Sequence, residues 1–417
     1  MSQGKKGMDR RMFNRWLFFA TALSGVANAR NLTNEPPHVA VIGAGIVGSS
    51  IAYNLVKRGA RVTLIDRSTV GGATSRGTFA WINATWAKQP RHYHAFNQSG
   101  IAAWQRLQAE LNLEVKWGGS LEWFESEARQ RRLASDILEQ QLWGEPAKMI
   151  DLSEAQTLEP MSDFRGATEV AYSPRDGAVD AMRASQRLVS AAERLGLRLL
   201  DNCSVNRVRE EGVGGLAVLE TDCGEIAVDK YVLATGANQQ ATLNLAGIDI
   251  PQRTTPGVVV ITKPVPKLLN TIFVAPGVHI HQRRDGRLVL GEQEGPPETE
   301  AHAKRLSAQP TRFPSTTLAQ QHASRLLEMA RHFLPSLPTD IALEEVLIGW
   351  RPLPLDGHPV LGASPTQPKS YIAIMHSGVS LAPIVGELVS EELITGVPSS
   401  VLEPYRPNRN FQRIQRY

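Results

Sequence analysis

The stretch from His38 to Asp66, HVAVIGAGIVGSSIAYNLVKRGARVTLID, constrains this chain more than any other. Val39 to Ile42 is a short apolar run of the kind buried in parallel sheets. Gly43, Gly45 and Gly48 follow at once in G-x-G-x-x-G order. The first permits a tight turn, the second lets a pyrophosphate approach backbone, and the third lets a helix pack close. Val47, Ile51 and Leu55 recur at helical spacing beside Ala52 and Val56, which predicts a helix with Gly59 as its left-handed stop. Arg61 to Ile65 predicts a second parallel strand, ending at Asp66, where a carboxylate can accept bonds from a ribose hydroxyl. A glycine pattern alone would be only a turn; with strand, helix and acid in place it reads as a dinucleotide grip.

The chain has 417 residues, enough for two or three domains, and its 42% hydrophobic content can supply a large core. Its formal charge of +4 lies in residues 1–29, where Lys5, Lys6, Arg10, Arg11 and Arg15 stand against Asp9. The remainder is formally neutral, which argues against a nucleic-acid partner. The same segment reads as an export signal: a basic start, an apolar stretch from Trp16 to Leu23 too short to span a bilayer, and Ala27-Asn28-Ala29 as a cleavage site. Arg10-Arg11 followed by Phe13 resembles the twin-arginine signal, with Asn14 a departure from it. That route carries folded proteins and would suit one that captures its cofactor before crossing, so a periplasmic location is expected. Cys203 and Cys223 could bridge neighbouring strands or remain two buried thiols. No C-x-x-C or Cys/His cluster points to a metal.

After Asp66, the loop Gly71 to Thr78 is dense in hydroxyls and backbone donors and can cradle phosphate or a polar ring. The polar and aromatic run Trp81 to His94 leaves the grip, and His92 and His94 read as solvated loop residues without a role. Ile101–Leu111 predicts an amphipathic helix, Glu127–Trp143 a charged surface helix capped by Ser126, and Ala181–Leu195 a helix entered from the turn Asp176–Asp180. Leu197 to Val228 reads as a hairpin region, and Tyr231 to Ala237 as a strand ending in small residues. Gly257–Thr262 and Val278–Gly291 predict strands; His279 and His281 alternate on one face of the latter, which reads either as pocket lining or, the safer reading, as a solvated face. Arg351, in Gly349-Trp350-Arg351-Pro352, offers a fork suited to a carboxylate. Ser380 is the expected N-cap of a helix with Pro383 early in it and Gly396 as its stop. His376-Ser377-Gly378-Val379 would bring backbone N–H groups to that helix start, where negative charge is favoured. Arg406, Arg409, Arg413 and Arg416 read as a basic surface tail.

The segments VIGAGIVGSS, GGATSRGT, WGGSLEW, YVLATGA, LIGWRPLPLDGHPVLG and HSGVSLAPIVG, in this order, resemble the FAD-dependent oxidoreductases of the D-amino-acid oxidase type, among them glycine oxidases, sarcosine oxidases and D-amino-acid dehydrogenases. The likeness runs from His38 to about Gly396. It implies that Gly43, Gly45 and Gly48, with Ile46 and Val47, hold the pyrophosphate, and that Asp66 holds the adenosine ribose. Thr74, Ser75 and Arg76 would meet the phosphate and flavin edge, Val205 the adenine, and Thr235 and Gly236 the turn past the cofactor. His376, Ser377 and Gly378, with Val379 and Ser380, would meet the pyrimidine side of the flavin, where charge accumulates on reduction. Arg351 would hold the substrate carboxylate. Gly77 and Phe79 stand where the family often has Asn and Gly. Arg76 lies near the position of a linking histidine in some relatives, and neither cysteine lies where others link sulfur, so the FAD is expected to be noncovalent.

The expected fold is α/β. A Rossmann-like, doubly wound FAD-binding domain is drawn from residues 36–90, 151–248 and 336–400, and an inserted α+β substrate domain on an antiparallel sheet from 91–150 and 249–335. The leader 1–29 and the tail 401–417 stand outside both. The expected reaction is oxidation of a small amino acid or secondary amine: hydride leaves the carbon next to nitrogen for flavin N5, and the imine hydrolyses. Electrons would pass to oxygen or a quinone chain. An NAD-dependent dehydrogenase sharing only the βαβ unit, or a noncatalytic flavin-binding protein, are the alternatives.

Overall fold

The computed structural model describes residues 35–85, 88–210, 215–292 and 310–413. The expected leader and Arg416 lie outside these residues. His38–Ile42 and Arg61–Ile65 form strands paired in parallel, joined by the helix Ile46–Lys57. Lys230–Leu233 and then Ser370–Ile374 add in parallel on one side, Arg198–Leu200 on the other, and antiparallel Val360–Ala363 ends the six-stranded sheet.

Alternation along the strands assigns the two faces. Val39 and Val41 face the helices Ile46–Lys57, Ala181–Glu193 and Gly378–Thr395. Ile51 and Leu55 are fully buried there, each contributing roughly 1.5–3 kcal/mol. Ala40 and Ile42 face an antiparallel meander, Val205–Glu210, Ala217–Thr221 and Gly224–Val228, and the short helix Gln239–Ala246. A disulfide joins Cys203 to Cys223, with their Cα atoms 6.0 Å apart, and resolves the choice the sequence left open.

The second sheet has eight strands, in the order Leu343–Pro354, Gln252–Thr262, Leu288–Glu292, Val278–Gln282, Ile272–Ala275, Ser120–Glu122, Val170–Ser173 and Lys148–Ile150. Its pairings are antiparallel except that of Ile272–Ala275 with Ser120–Glu122. Val170–Ser173 and Leu343–Pro354, which the expected boundaries put in the FAD-binding portions, join this sheet. One face, with Val258, Val260, Ile280 and Leu290, packs on the helix Thr316–Phe333. Residues directly opposite in a pairing share a face, and the registers Thr255 with Arg351, Gly257 with Gly349, and His279 with Gly291 put all six on the other.

Several local expectations change. The expected helix at Ile101 begins at Arg91, immediately after Pro90, so His92 and His94 are helical rather than loop residues, and His94 is fully buried. Ser126 stands at the N-cap of the helix Glu127–Leu142, but its side chain makes no capping bond. The last long helix begins at Gly378, not after Ser380, and Ser377 takes the N-cap in the left-handed region, φ 56°. Ser380 lies in the first turn, where its hydroxyl accepts from Asn83 N and donates to Trp81 O. The tail is anchored: Arg406 pairs with Glu392, and Arg409 with Asp356 at 2.7 Å.

Candidate active site

A cavity of about 1180 Å³ opens where the carboxyl ends of the parallel strands approach the eight-stranded sheet. That exceeds the roughly 300–1,000 Å³ of ordinary ligand pockets, leaving room for a dinucleotide and a small substrate together. The glycine turn forms one wall. Gly43 has φ 108°, and a Cβ on it would stand 2.3 Å from Ala234 O. A Cβ on Gly48 would stand 1.8 Å from Gly43 O. Only bare backbone fits at either position.

The helix start at Gly45 has no side-chain cap and no acid in its first turn, leaving it open to an anion. Ser75 Oγ accepts from Ile46 N at 3.0 Å. Asp66 is held by the turn it serves, its Oδ2 accepting from Ala44 N at 2.6 Å and its Oδ1 from Ser68 N at 2.8 Å. Ser68 Oγ also donates to Oδ1 at 3.1 Å, so Oδ2 is the oxygen that keeps a lone pair for a ribose hydroxyl. Val205 and Ser204 continue the wall beyond Asp66, and Thr235 and Gly236 line it near the turn. This donor set, cradle and volume fit FAD.

The opposite end is built from the sheet face and the last helix. Arg351 donates from Nη2 to Pro256 O at 3.1 Å, and its guanidinium lies about 3.5 Å from where a Cβ on Gly257 would be. His376, Ser377, Gly378, Val379 and Ser380 line the same cavity. Burial, with Lys88 and Arg351 nearby, pushes the His376 imidazole down to about 3. Burial and Arg351 bring His279 to about 3 as well. Both rings are neutral at neutral pH.

Two expectations are corrected here. Arg76 is not on the cavity wall; it ion-pairs with Glu345. Its neighbours Thr74 and Ser75 do line the cavity, and Thr74 Oγ1 donates to Trp350 O at 2.8 Å. His279 and His281 are not on a solvated face: His279 lines the cavity and His281 is 1% exposed, its Nε2 donating to Phe79 O at 2.9 Å.

Sequence reasoning missed Lys88, Trp81 and Asp176. Lys88 lines the cavity while only 4% exposed, and its ammonium donates to Ser377 Oγ. Trp81 Nε1 and Ser120 Oγ donate to Asp176 Oδ2 at 2.9 and 2.7 Å. Burial outweighs these bonds and pushes the Asp176 carboxyl up to about 8. Asp176 had read only as part of a turn.

The chain is similar to glycine oxidase of Geobacillus kaustophilus, 25% identical over 90% of this chain and 98% of that protein. It is similar also to one of the polypeptides of opine oxidase from Agrobacterium tumefaciens, 24% identical over 88% of this chain and 96% of the other. Among solved structures, L-proline dehydrogenase from P. horikoshii superposes with a TM-score of 0.77 at 24% identity, covering 90% of this chain and 98% of that one. The family of FAD dependent oxidoreductases designated DAO matches residues 38–392. That span takes in the glycine cradle, the Arg351 strand and the His376 turn together, and the chain accordingly belongs to the FAD-dependent oxidoreductases of the DAO family, with FAD as its cofactor.

Proposed function

We propose that this enzyme oxidises the C–N bond of a small amino acid or secondary amine. The observation that carries the reading is that Arg351 opens into the same cavity as the dinucleotide cradle. FAD, when bound, supplies the hydride acceptor. Arg351 offers a planar, permanently charged fork to the substrate carboxylate. Neutral His279 and His376 beside it add no further positive charge to repel a substrate amine. The glycine-backed sheet face gives a small substrate room close to the cofactor, and orientation of this kind can account for much of the acceleration. The imine product would hydrolyse in water. The names of the relatives point the same way: glycine, opine and proline are what those proteins act on by name.

Noncovalent attachment of FAD is supported by the pairing of both cysteines with each other and by Arg76 standing away from the cavity wall. Export by the twin-arginine route to the periplasm is part of the proposal. It rests on the leader's sequence, with the Cys203–Cys223 bridge in keeping with an oxidising compartment. The electron acceptor is proposed to be oxygen or a quinone chain.

The test is an anaerobic absorbance scan of the purified holoenzyme against glycine, sarcosine, proline, and D- and L-amino acids, followed by air. Loss of the oxidised flavin bands with at least one amine is expected, and the speed of their return in air separates oxidase from dehydrogenase. Flavin that no amine bleaches would leave a binding protein instead.

A further inference from the structure

The end of the cavity beyond the cradle is ringed by interacting side chains. Arg351 acts by charge on His279, whose ring meets that of Trp81 edge-on at 6.0 Å. Trp81 donates to Asp176, Asp176 acts by charge on Lys88, and Lys88 and Arg351 both act on His376. Two cations from separate elements, the loop before the helix Arg91–Leu111 and the strand Leu343–Pro354, thus share one neutral imidazole.

Lys88 has no countercharge to match its burial. Its ammonium donates to the neutral Ser377 hydroxyl and lies 5.6 Å from the Tyr93 ring centre. Among the described residues no carboxylate stands within ion-pairing distance of it. Asp176 acts on it from further off, and burial pushes that carboxyl up to about 8, which weakens it as a counterion. Glu292, the other acid at this end of the wall, is engaged by Arg325. Burial brings Lys88 down to about 7 against the pull of Asp176. A buried cation in this condition costs stability unless something negative joins it. Lys88 faces the cavity, so a ligand can be that partner.

We infer that the cavity takes an amine bearing two carboxylates, Arg351 receiving one and Lys88 the other. This rests on the amine-oxidation reading above. A second carboxylate at Lys88 would restore the ammonium's charge and make a charge-assisted hydrogen bond in a buried site. An amine with one carboxylate leaves Lys88 as it is.

The test titrates the holoenzyme with methylthioacetate and thiodiacetate, thioethers that cannot be oxidised at nitrogen and differ by one carboxylate, following the shift in flavin absorbance. Thiodiacetate is expected to bind about 10- to 100-fold more tightly, the range for a hydrogen bond to a charged group. Lys88→Met should remove most of that preference, weakening thiodiacetate far more than methylthioacetate, and Lys88→Arg should keep part of it. Equal affinities in the wild-type enzyme, or a Lys88→Met variant that weakens both ligands by one factor, overturn the inference. Should Lys88→Met not retain FAD, the wild-type preference and the Lys88→Arg titration decide the matter. Sarcosine and iminodiacetate, run as substrates beside the thioethers, separate the two readings. Thiodiacetate preference without bleaching by either amine sinks amine oxidation alone, whereas bleaching by sarcosine without thiodiacetate preference sinks the second carboxylate alone.

Discussion

The backbones of Gly77 and Gly349 press against each other: a Cβ on Gly349 would stand 1.9 Å from Gly77 O, and one on Gly77 would stand 2.8 Å from Ile348 O. Neither glycine has positive φ, so the close approach rather than the backbone conformation excludes a side chain. The contact joins the hydroxyl-rich loop after the second strand to the strand that carries Arg351, and Thr74 and Arg76 brace it on either side. Gly349→Ala is expected to cost about 1–3 kcal/mol through backbone displacement. It should also weaken FAD binding, because the loop it displaces lines the cofactor cavity. Thermal unfolding of the holoenzyme and fluorimetric FAD titration check both effects, and wild-type values in the two assays would refute the coupling.

Trp104 stands in for a hydrogen bond that Pro383 removes. Pro383 has no N–H to give the carbonyl four residues back, that of Val379, and Trp104 Nε1 donates to it at 2.7 Å. The two helices come this close because residue 100 is glycine; a Cβ there would stand 2.4 Å from Ser380 O. Trp104→Phe keeps a ring but leaves the carbonyl unpaired, which should cost about 1–3 kcal/mol. Urea unfolding measures it. A loss below about 0.5 kcal/mol would mean that water or a shifted backbone replaces the indole.

What the sequence made legible, and what it hid, follows from the range of the interactions. The cradle declares itself because Gly43, Gly48 and Asp66 act on one another within a single βαβ unit, and periodicity reports that unit directly. Arg406 and Arg409 gave no such sign: their carboxylates, Glu392 and Asp356, lie 14 and 53 residues away, and nothing in an arginine-rich tail names them. Lys88 and Asp176 are buried only because distant strands and the helix Arg91–Leu111 close over them, so a lysine in a polar run and an aspartate in an Asp-Gly turn looked solvated. Capping preference pointed to Ser380, whereas the chain turns at Ser377 in a conformation serine seldom adopts.

Arg351 should act on the ligand rather than on the fold. Its side chain lines the cavity and donates to Pro256 O. Arg351→Lys keeps the charge but loses the planar fork, and the affinity for methylthioacetate should fall about 10- to 100-fold, as for one charge-assisted bond lost. FAD content and unfolding temperature should stay near wild type. Release of FAD with unchanged ligand affinity would reassign the residue to the cofactor.

His281 ties stability to pH without touching the cavity wall. Burial, helped by Arg283 and Lys116 and opposed by its bond to Phe79 O, lowers it to about 3 from the 6.5 of an exposed histidine. The folded value lies below the unfolded one, so between those two values the unfolded chain binds the extra proton. Its contribution is therefore complete above about pH 6.5 and is lost as pH falls toward 3, with a slope approaching about 1.4 kcal/mol per pH unit. Urea unfolding of the apoprotein at pH 7, 6 and 5 should show declining stability, and His281→Gln should decline less steeply by about one histidine's share, whatever the substitution costs at pH 7. Parallel declines in the two proteins would mean that His281 takes up its proton as readily in the fold as in the unfolded chain.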